Sequence, residues 1–217
     1  MIMSNDLLKD IAIIGAGGFG REVRWHIDRI NEKNPQWNFI GFFDDLYSEK
    51  AKNTQGIIGN ISDLVKTCSP LHVVCAIASP EIRQKIVDLC TKNQLLSFPK
   101  LIDPSAIVGK NSKIGNGCVL CANVTVTTNV TIADHVHINS GSTVGHDAKI
   151  DSFVTIYPLV SISGNTNLKI GVEMGTNSTI LQGLSIASKC KIGAGAVVTK
   201  NIKEIGGTFV GIPARKL

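Results

Sequence analysis

Every sixth residue from Ile102 to Val198 is Ile, Leu, Val or Met. The series runs Ile102, Val108, Ile114, Leu120, Val126, Ile132, Ile138, Val144, Ile150, Ile156, Ile162, Leu168, Met174, Ile180, Ile186, Ile192 and Val198, seventeen positions without an exception. In a chain that is 43% hydrophobic, seventeen hits in one frame have a chance of roughly one in a million. A helix repeats at about 3.6 residues and a strand at about 2. A period of six suits a coil of three short strands, about 18 residues per turn, stacked as a parallel β-helix. Two residues before each apolar position from Val108 onward runs a second column of small or β-branched residues, among them Ser112, Cys118, Val124, Ser142, Ala148 and Cys190, with Leu184 its one large member. Residues two apart on a strand share a face, so both columns point into the prism, the small side chain near a corner. Glycine often follows the apolar position (Gly109, Gly115, Gly145, Gly175, Gly193), where a corner is expected to need unusual dihedrals. Seventeen hexads make nearly six coils, about 27 Å tall at ~4.8 Å per coil.

Before residue 100 the pattern changes to alternating strands and helices. Residues 10–14 read as a buried strand, 19–31 as a helix, 38–43 as a second strand ending at Asp44-Asp45, and 57–58 as a short extended piece. Residues 61–67 read as a helix capped by Asn60 or Ser62, 72–77 as a third strand, and 80–90 as a helix with Pro80 near its first turn. Such alternation predicts a parallel sheet with helices on its faces. The segment 97–104, with Pro99 and Pro104, reads as a hinge. The expected organisation is an α/β Rossmann-like domain over 1–99 for acceptor or nucleotide, a β-helix over 100–200, and a tail over 201–217.

A net charge of +5 without Lys/Arg blocks or a stacking-aromatic pattern does not point to nucleic acid. No apolar run approaches the ~18 residues of a membrane span. The N-terminus has acidic residues before its short apolar run and no cleavage-site pattern, so it does not read as a signal peptide, and the expected location is the cytoplasm. Six cysteines agree with that; Cys118 and Cys121 form a CxxC, but Cys118 falls in the inward small column and is expected to pack rather than bind metal.

Two stretches carry chemistry. GAGGFG, Gly15 to Gly20, follows a strand and opens a helix, the context in which glycines let a backbone approach phosphates and the helix N-terminus offers free N–H groups. A tight turn with no ligand is the plain alternative. About 100 residues is small for a full dinucleotide domain, so a single nucleotide fits better than NAD. The second stretch, HVHINSGSTVGHD, holds His135, His137 and His146. By hexad phase His137 and His146 point away from the prism, toward a site or an interface. Neighbouring coils lie 18 residues apart and no second histidine stacks on any of these, so a zinc site is disfavoured and no metal is expected. His26 and His72 read as structural or exposed.

Together the glycine turn, the Asp44-Asp45 pair, the hexapeptide run, INSGSTVGHD and the terminal GIPARKL resemble the bacterial sugar acyltransferases that acetylate UDP-4-amino-sugars or sialic acids. The resemblance covers nearly the whole chain. It implies a left-handed coil, whereas parallel crossovers are otherwise right-handed in about 98% of cases. It also implies acetyl-CoA as co-substrate, a homotrimer with sites between coils, and N- or O-acetylation of a sugar in surface glycan synthesis. By the same resemblance His146 is the catalytic base and Asp147 its acidic neighbour. Asn139 and Ser140 meet the acceptor, and the Gly164 N–H faces the thioester carbonyl. Thr155, Gly175, Gly211, Pro213 and Ala214 line the CoA arm, Thr155 standing where some members carry a histidine. Gly15, Gly17 and Gly18 hold nucleotide phosphates, Asp44 and Asp45 read the base, and Ala76, Ile77 and Ala78 line the same pocket. Phe19 replaces a polar or histidine side chain found in some nucleotide-sugar members. A neutral imidazole suits the task of taking a proton from an attacking amine or hydroxyl. The readings weighed against this are a sialic acid O-acetyltransferase, a non-catalytic nucleotide-binding module, a metal-dependent lyase or hydratase, and a serine acetyltransferase, whose N-terminal region is helical rather than α/β.

Overall fold

The computed structural model describes residues 8–45 and 56–217; the N-terminal residues 1–7, where the reading against a signal peptide begins, lie outside them. The chain divides into two compact units. One comprises the residues up to Ile77 together with Lys85–Pro99, the other Ala78–Gln84 together with Lys100–Leu217. The segment 78–84 thus goes with the coil, although its place in the sequence puts it with the α/β half.

The first unit contains β1 (Lys9–Ile14), α1 (Gly18–Lys33), β2 (Trp37–Phe43), β3 (Ile57–Gly59), α2 (Ile61–Val65), β4 (Leu71–Cys75) and β5 (Leu96–Ser97); α3 (Pro80–Cys90) opens in the coil unit. The five strands are parallel in the order β3-β2-β1-β4-β5. β1 is central, and Ile11 to Ile14 are at most 1% exposed, which is why this strand reads as an unbroken apolar run. α1 buries Val23, Ile27 and Ile30 at helical spacing. α2 starts at a capping box in which the Asn60 side chain accepts from the Asp63 N–H and the Asp63 side chain accepts from the Asn60 N–H. Of the two caps the sequence offers, Asn60 is the one used; the Ser62 hydroxyl donates to Asn60 Oδ1. The strand order reverses between β1 and β4. Their carboxyl ends, at Gly15 and Ala76, therefore border the crevice where open α/β sheets take ligands.

The second unit is a left-handed parallel β-helix. Its seventeen two-residue strands match the seventeen hexads, from Leu101–Ile102 to Val197–Val198, and lie in three parallel sheets. Successive coils are joined rung by rung, as in Thr125 N–H to Ser142 O at 3.0 Å, Thr143 N–H to Val160 O at 2.9 Å and Ser161 N–H to Ser178 O at 3.0 Å. The two columns form one continuous core. Several polar members of the small column bond the backbone at a corner: Ser112 Oγ donates to Thr127 O, Cys118 Sγ to Ala133 O and Ser142 Oγ to Tyr157 O. Burial pushes the Cys118 thiol up to about 11, which disfavours the thiolate that redox or metal chemistry requires.

The corners differ from expectation. The left-handed backbone does not fall at the glycines that follow the apolar position. It falls three residues after that position, at every corner from Asn111 to Gly195, fifteen in all. Five of these residues are Asn and five are Gly, the types that adopt positive φ most easily, but the series also includes His135, Asp147, Phe153, Leu159 and Lys189. The glycines after the apolar position serve close approach instead. A Cβ on Gly109 would stand 2.6 Å from Thr127 O, and one on Gly145 2.5 Å from Gly164 N.

The end of the coil also differs. The six-residue period stops at Val198, but the coil continues. Ile202 bridges Ile186, and Thr208–Val210 pairs in parallel with Lys191–Ile192 before the chain turns back through Arg215–Lys216. Phe209, 8% exposed, joins the core. Irregular spacing from Val198 to Ile202 to Phe209 hides this last turn from a search for sixes. Among the described residues no helix is long and apolar enough to cross a membrane.

Candidate active site

His146 follows Gly145 at the end of a coil strand, and Asp147 is the corner residue itself, at φ 60°. That corner turns Asp147 back onto its neighbour, and the two side chains meet at 2.8 Å between Nδ1 and Oδ2. With the carboxylate ionised, Nδ1 carries the proton and Nε2 keeps its lone pair. The hydrogen bond from His146 is the largest influence on Asp147 and holds its carboxyl below the ordinary value. Both side chains are more than half exposed. The ring lies over Gly164, one coil further on: a Cβ at that position would stand 2.7 Å from Nε2 and 2.8 Å from Cε1. Glycine is therefore required for the imidazole to occupy this place. Among the described residues the Gly164 N–H makes no bond to a backbone carbonyl, while the Asn165 N–H donates to His146 O at 2.7 Å. A proton acceptor and a backbone donor thus stand side by side on the outer wall of the prism.

The three histidines of this stretch go to three different neighbours. His135 stacks on Phe153, with rings 7° from parallel and centroids 5.2 Å apart. His137 does point away from the prism, yet it is 1% exposed rather than solvated. Arg83, from the 78–84 segment, covers it and places Nη1 3.2 Å from His137 Nδ1. Guanidinium only donates, so Nδ1 is the acceptor there. Arg83 is fully buried and also donates to the carbonyls of His135, Phe153 and Ala78 and to Thr155 Oγ1.

This arrangement changes the reading of Thr155 and Ala78. Thr155, expected along the cofactor, is 1% exposed; its hydroxyl accepts from Arg83 and donates to Ala78 O at 2.8 Å. Its side chain faces protein, with no surface left for a ligand. Ala78, expected in a pocket with Ala76 and Ile77, belongs with the coil unit and spends its carbonyl on Arg83 and Thr155. Asn139 is 8% exposed, and its amide donates to Ile156 O at 2.9 Å; Ser140, next to it, is half-buried. Gly175 approaches Ile192 O closely, and the tail segment containing Gly211, Pro213 and Ala214 is held by Val197 N–H to Gly211 O and Ala214 N–H to Val197 O.

In the first unit the glycines of the turn divide by task. Gly15 sits at φ 96°, where a Cβ would meet Ile77 Cδ1 at 2.8 Å, and a Cβ on Gly20 would collide with Gly15 O. Gly17 and Gly18 are exposed with open space around them, at the N-cap and first residue of the sixteen-residue α1. The Asp44 carboxylate accepts from the Ala16 N–H at 2.8 Å, and Asp45 accepts from the Ile61 N–H at 3.1 Å. The acidic pair thus braces the glycine turn and the start of α2.

Comparison with known proteins gives the family. Residues 10–89 match the family described as PglD N-terminal domain. The chain is 29% identical to GDP-perosamine N-acetyltransferase of Escherichia coli O157:H7, over 79% of this chain and 78% of that protein. It superposes on the acetyltransferase domain of PglB from Neisseria gonorrhoeae FA1090, solved in complex with acetyl coenzyme A, with a TM-score of 0.88 and 31% identity, covering 97% of this chain and 100% of that one. WeeI from Acinetobacter baumannii AYE gives 0.84 and 30%, covering 96% and 100%. The chain belongs to the hexapeptide-repeat acyltransferases that begin with a PglD-type N-terminal domain.

Proposed function

We propose that the protein transfers the acetyl group of acetyl-CoA to the amino group of a sugar carried on a nucleoside diphosphate, in surface glycan synthesis. The observation that carries this reading is the imidazole of His146, exposed on the coil, tied to Asp147 through Nδ1 and laid over Gly164. His146 Nε2 takes the proton of the amine as it attacks the thioester carbonyl, Asp147 steadies the charged ring, and the Gly164 N–H donates to the developing oxyanion. The amine, rather than a hydroxyl, is favoured by the N-acetyltransferase from Escherichia coli. The nucleotide goes to the open side of Gly17 and Gly18, at the N-terminus of α1, with Asp44 and Asp45 at the edge of the same turn. Asn139 and Ser140 serve the acceptor, and Gly175, Gly211, Pro213 and Ala214 the CoA arm. The His146–Asp147 pair is open on the outer wall of the coil, and a homotrimer would bring a second chain's coil against it. Six free cysteines fit a reducing cytoplasm.

The test is release of free thiol from acetyl-CoA across a panel of acceptors: GDP- and UDP-linked amino sugars, free sialic acid and serine. Turnover is expected with a nucleotide-linked amino sugar. Turnover confined to sialic acid or serine overturns the reading.

A further inference from the structure

We infer that Leu159 is a specificity-determining residue for the acceptor, giving the sugar an apolar contact one coil above Ser140; this rests on the function proposed above, which assigns Asn139 and Ser140 to that sugar. The observation is a leucine where the backbone disfavours one. Leu159 sits at φ 60°, a left-handed conformation that costs a bulky residue more than it costs Asn or Gly. The other left-handed corners of the same edge are Asn123, Gly141, Asn177 and Gly195. Elsewhere on the coil, each corner that is neither Asn nor Gly shows what it gains. His135 and Phe153 are buried and stack on one another. Asp147 accepts from His146. Lys189 lays its stem along Gly171, where a Cβ would stand 3.6 Å from Lys189 Cγ, and keeps its charge in water. Leu159 is 60% exposed, so a strained backbone carries apolar surface into water. An exposed leucine needs no explanation by itself; one held at a left-handed corner does.

Its surroundings say what it meets. The side chain lies across Gly141, where a Cβ would stand 2.8 Å from Leu159 Cδ2, and the Leu159 N–H donates to Ser140 O at 3.1 Å. Asn139 and Ser140 below it and Thr176 and Asn177 above it carry no charge. Amides and hydroxyls beside one apolar side chain suit a neutral sugar, whose hydroxyls bond the former while its C–H groups rest on the latter. This edge of the prism is not the edge that carries His146. The two lie one side apart, roughly 15–20 Å at ~3.3 Å per residue. One acceptor therefore meets both sets of residues only where this edge of one copy faces His146 of a second, as the proposed homotrimer allows.

Leu159→Asn keeps the shape of the side chain, suits the corner and removes the apolar contact. It is expected to raise the melting temperature by about 2–4 °C, because strain and exposed apolar surface go together. It is also expected to raise KM for a nucleotide-linked amino sugar about tenfold and leave KM for acetyl-CoA as it is. Between two such acceptors that differ in a methyl against a hydroxymethyl group on the ring, the wild type should favour the methyl by about tenfold and the variant by less than about twofold. Lys189→Asn gives the same relief at a corner of another edge, φ 61°, and as the control should change neither KM. A melting temperature that falls in Leu159→Asn means that the leucine holds the fold or the contact between copies, and overturns the inference. So does a rise in melting temperature with the acceptor KM and the methyl preference of the wild type. A wild-type protein that turns over no nucleotide-linked amino sugar overturns the proposed function, and the role of Leu159 falls with it.

Discussion

Each unit places a carboxylate just past the end of a strand and puts it to a different use. In the α/β sheet Asp44 accepts from the Ala16 N–H at 2.8 Å; on the coil Asp147 accepts from His146 Nδ1 at the same distance. A backbone N–H has no proton to give at neutral pH, so the first bond can only set the shape of the turn. An imidazole can change its charge, so the second bond bears on proton transfer. Under the function proposed, the sheet holds a ligand and the coil acts on it.

The largest effect that bears on this contrast belongs to His146. Replacement by Ala is expected to lower kcat by about 10² or more with little change in melting temperature, since the ring is exposed and packs on one glycine. Gly164→Ala gives the same signature at smaller size, about tenfold, because the new Cβ forces Nε2 aside from 2.7 Å. Both are read from initial rates of thiol release at saturating substrates. Near-full activity in His146→Ala removes the proton chemistry from the coil.

A smaller effect is expected from the sheet. Asp44→Ala releases the Ala16 N–H and loosens the glycine turn; a hydrogen bond to a charged group contributes about 1.5–3 kcal/mol, so KM for a nucleotide-linked acceptor should rise by roughly tenfold or more. KM for acetyl-CoA and kcat at saturation should stay as they are. A rise in the KM for acetyl-CoA instead would erase the division of labour between the units.

The two units also differ in how much of them can be read from residues in order. The coil's strands follow from a period, whereas His146, Asp147 and Gly164 follow from a resemblance; the contact geometry adds that a Cβ at Gly164 would meet that ring. The corner was less legible. Glycines after the apolar position draw the eye, whereas the left-handed residue lies two further on and in five corners is neither Asn nor Gly. Arg83 left no trace at all. It stands in a helix 54 residues before His137, and nothing in the local pattern of that helix says that its guanidinium is fully buried among coil carbonyls. The burial of Thr155 is hidden for the same reason, since its hydroxyl answers to Arg83. Periodicity reports contacts that recur every coil; a single long-range anchor has no period to report.

The smallest expected effect lies inside the prism and separates two serines of the same column. Ser142 Oγ donates to Tyr157 O at 2.9 Å and accepts from the Val160 N–H at 3.1 Å, so it closes a gap in the ladder at a corner. Ser178 is equally buried, but among the described residues its hydroxyl has no partner. Truncating Ser142 to Ala leaves a buried carbonyl and a buried N–H without that partner, at a cost of about 1–3 kcal/mol. Truncating Ser178 removes a polar atom that bonds nothing and is expected to change stability by less than about 0.5 kcal/mol, or to raise it slightly. Equilibrium denaturation of the two variants gives the comparison. Equal destabilisation would mean that Ser178 satisfies its hydroxyl after all, through a water held in the prism, and that its place in the small column depends on more than size.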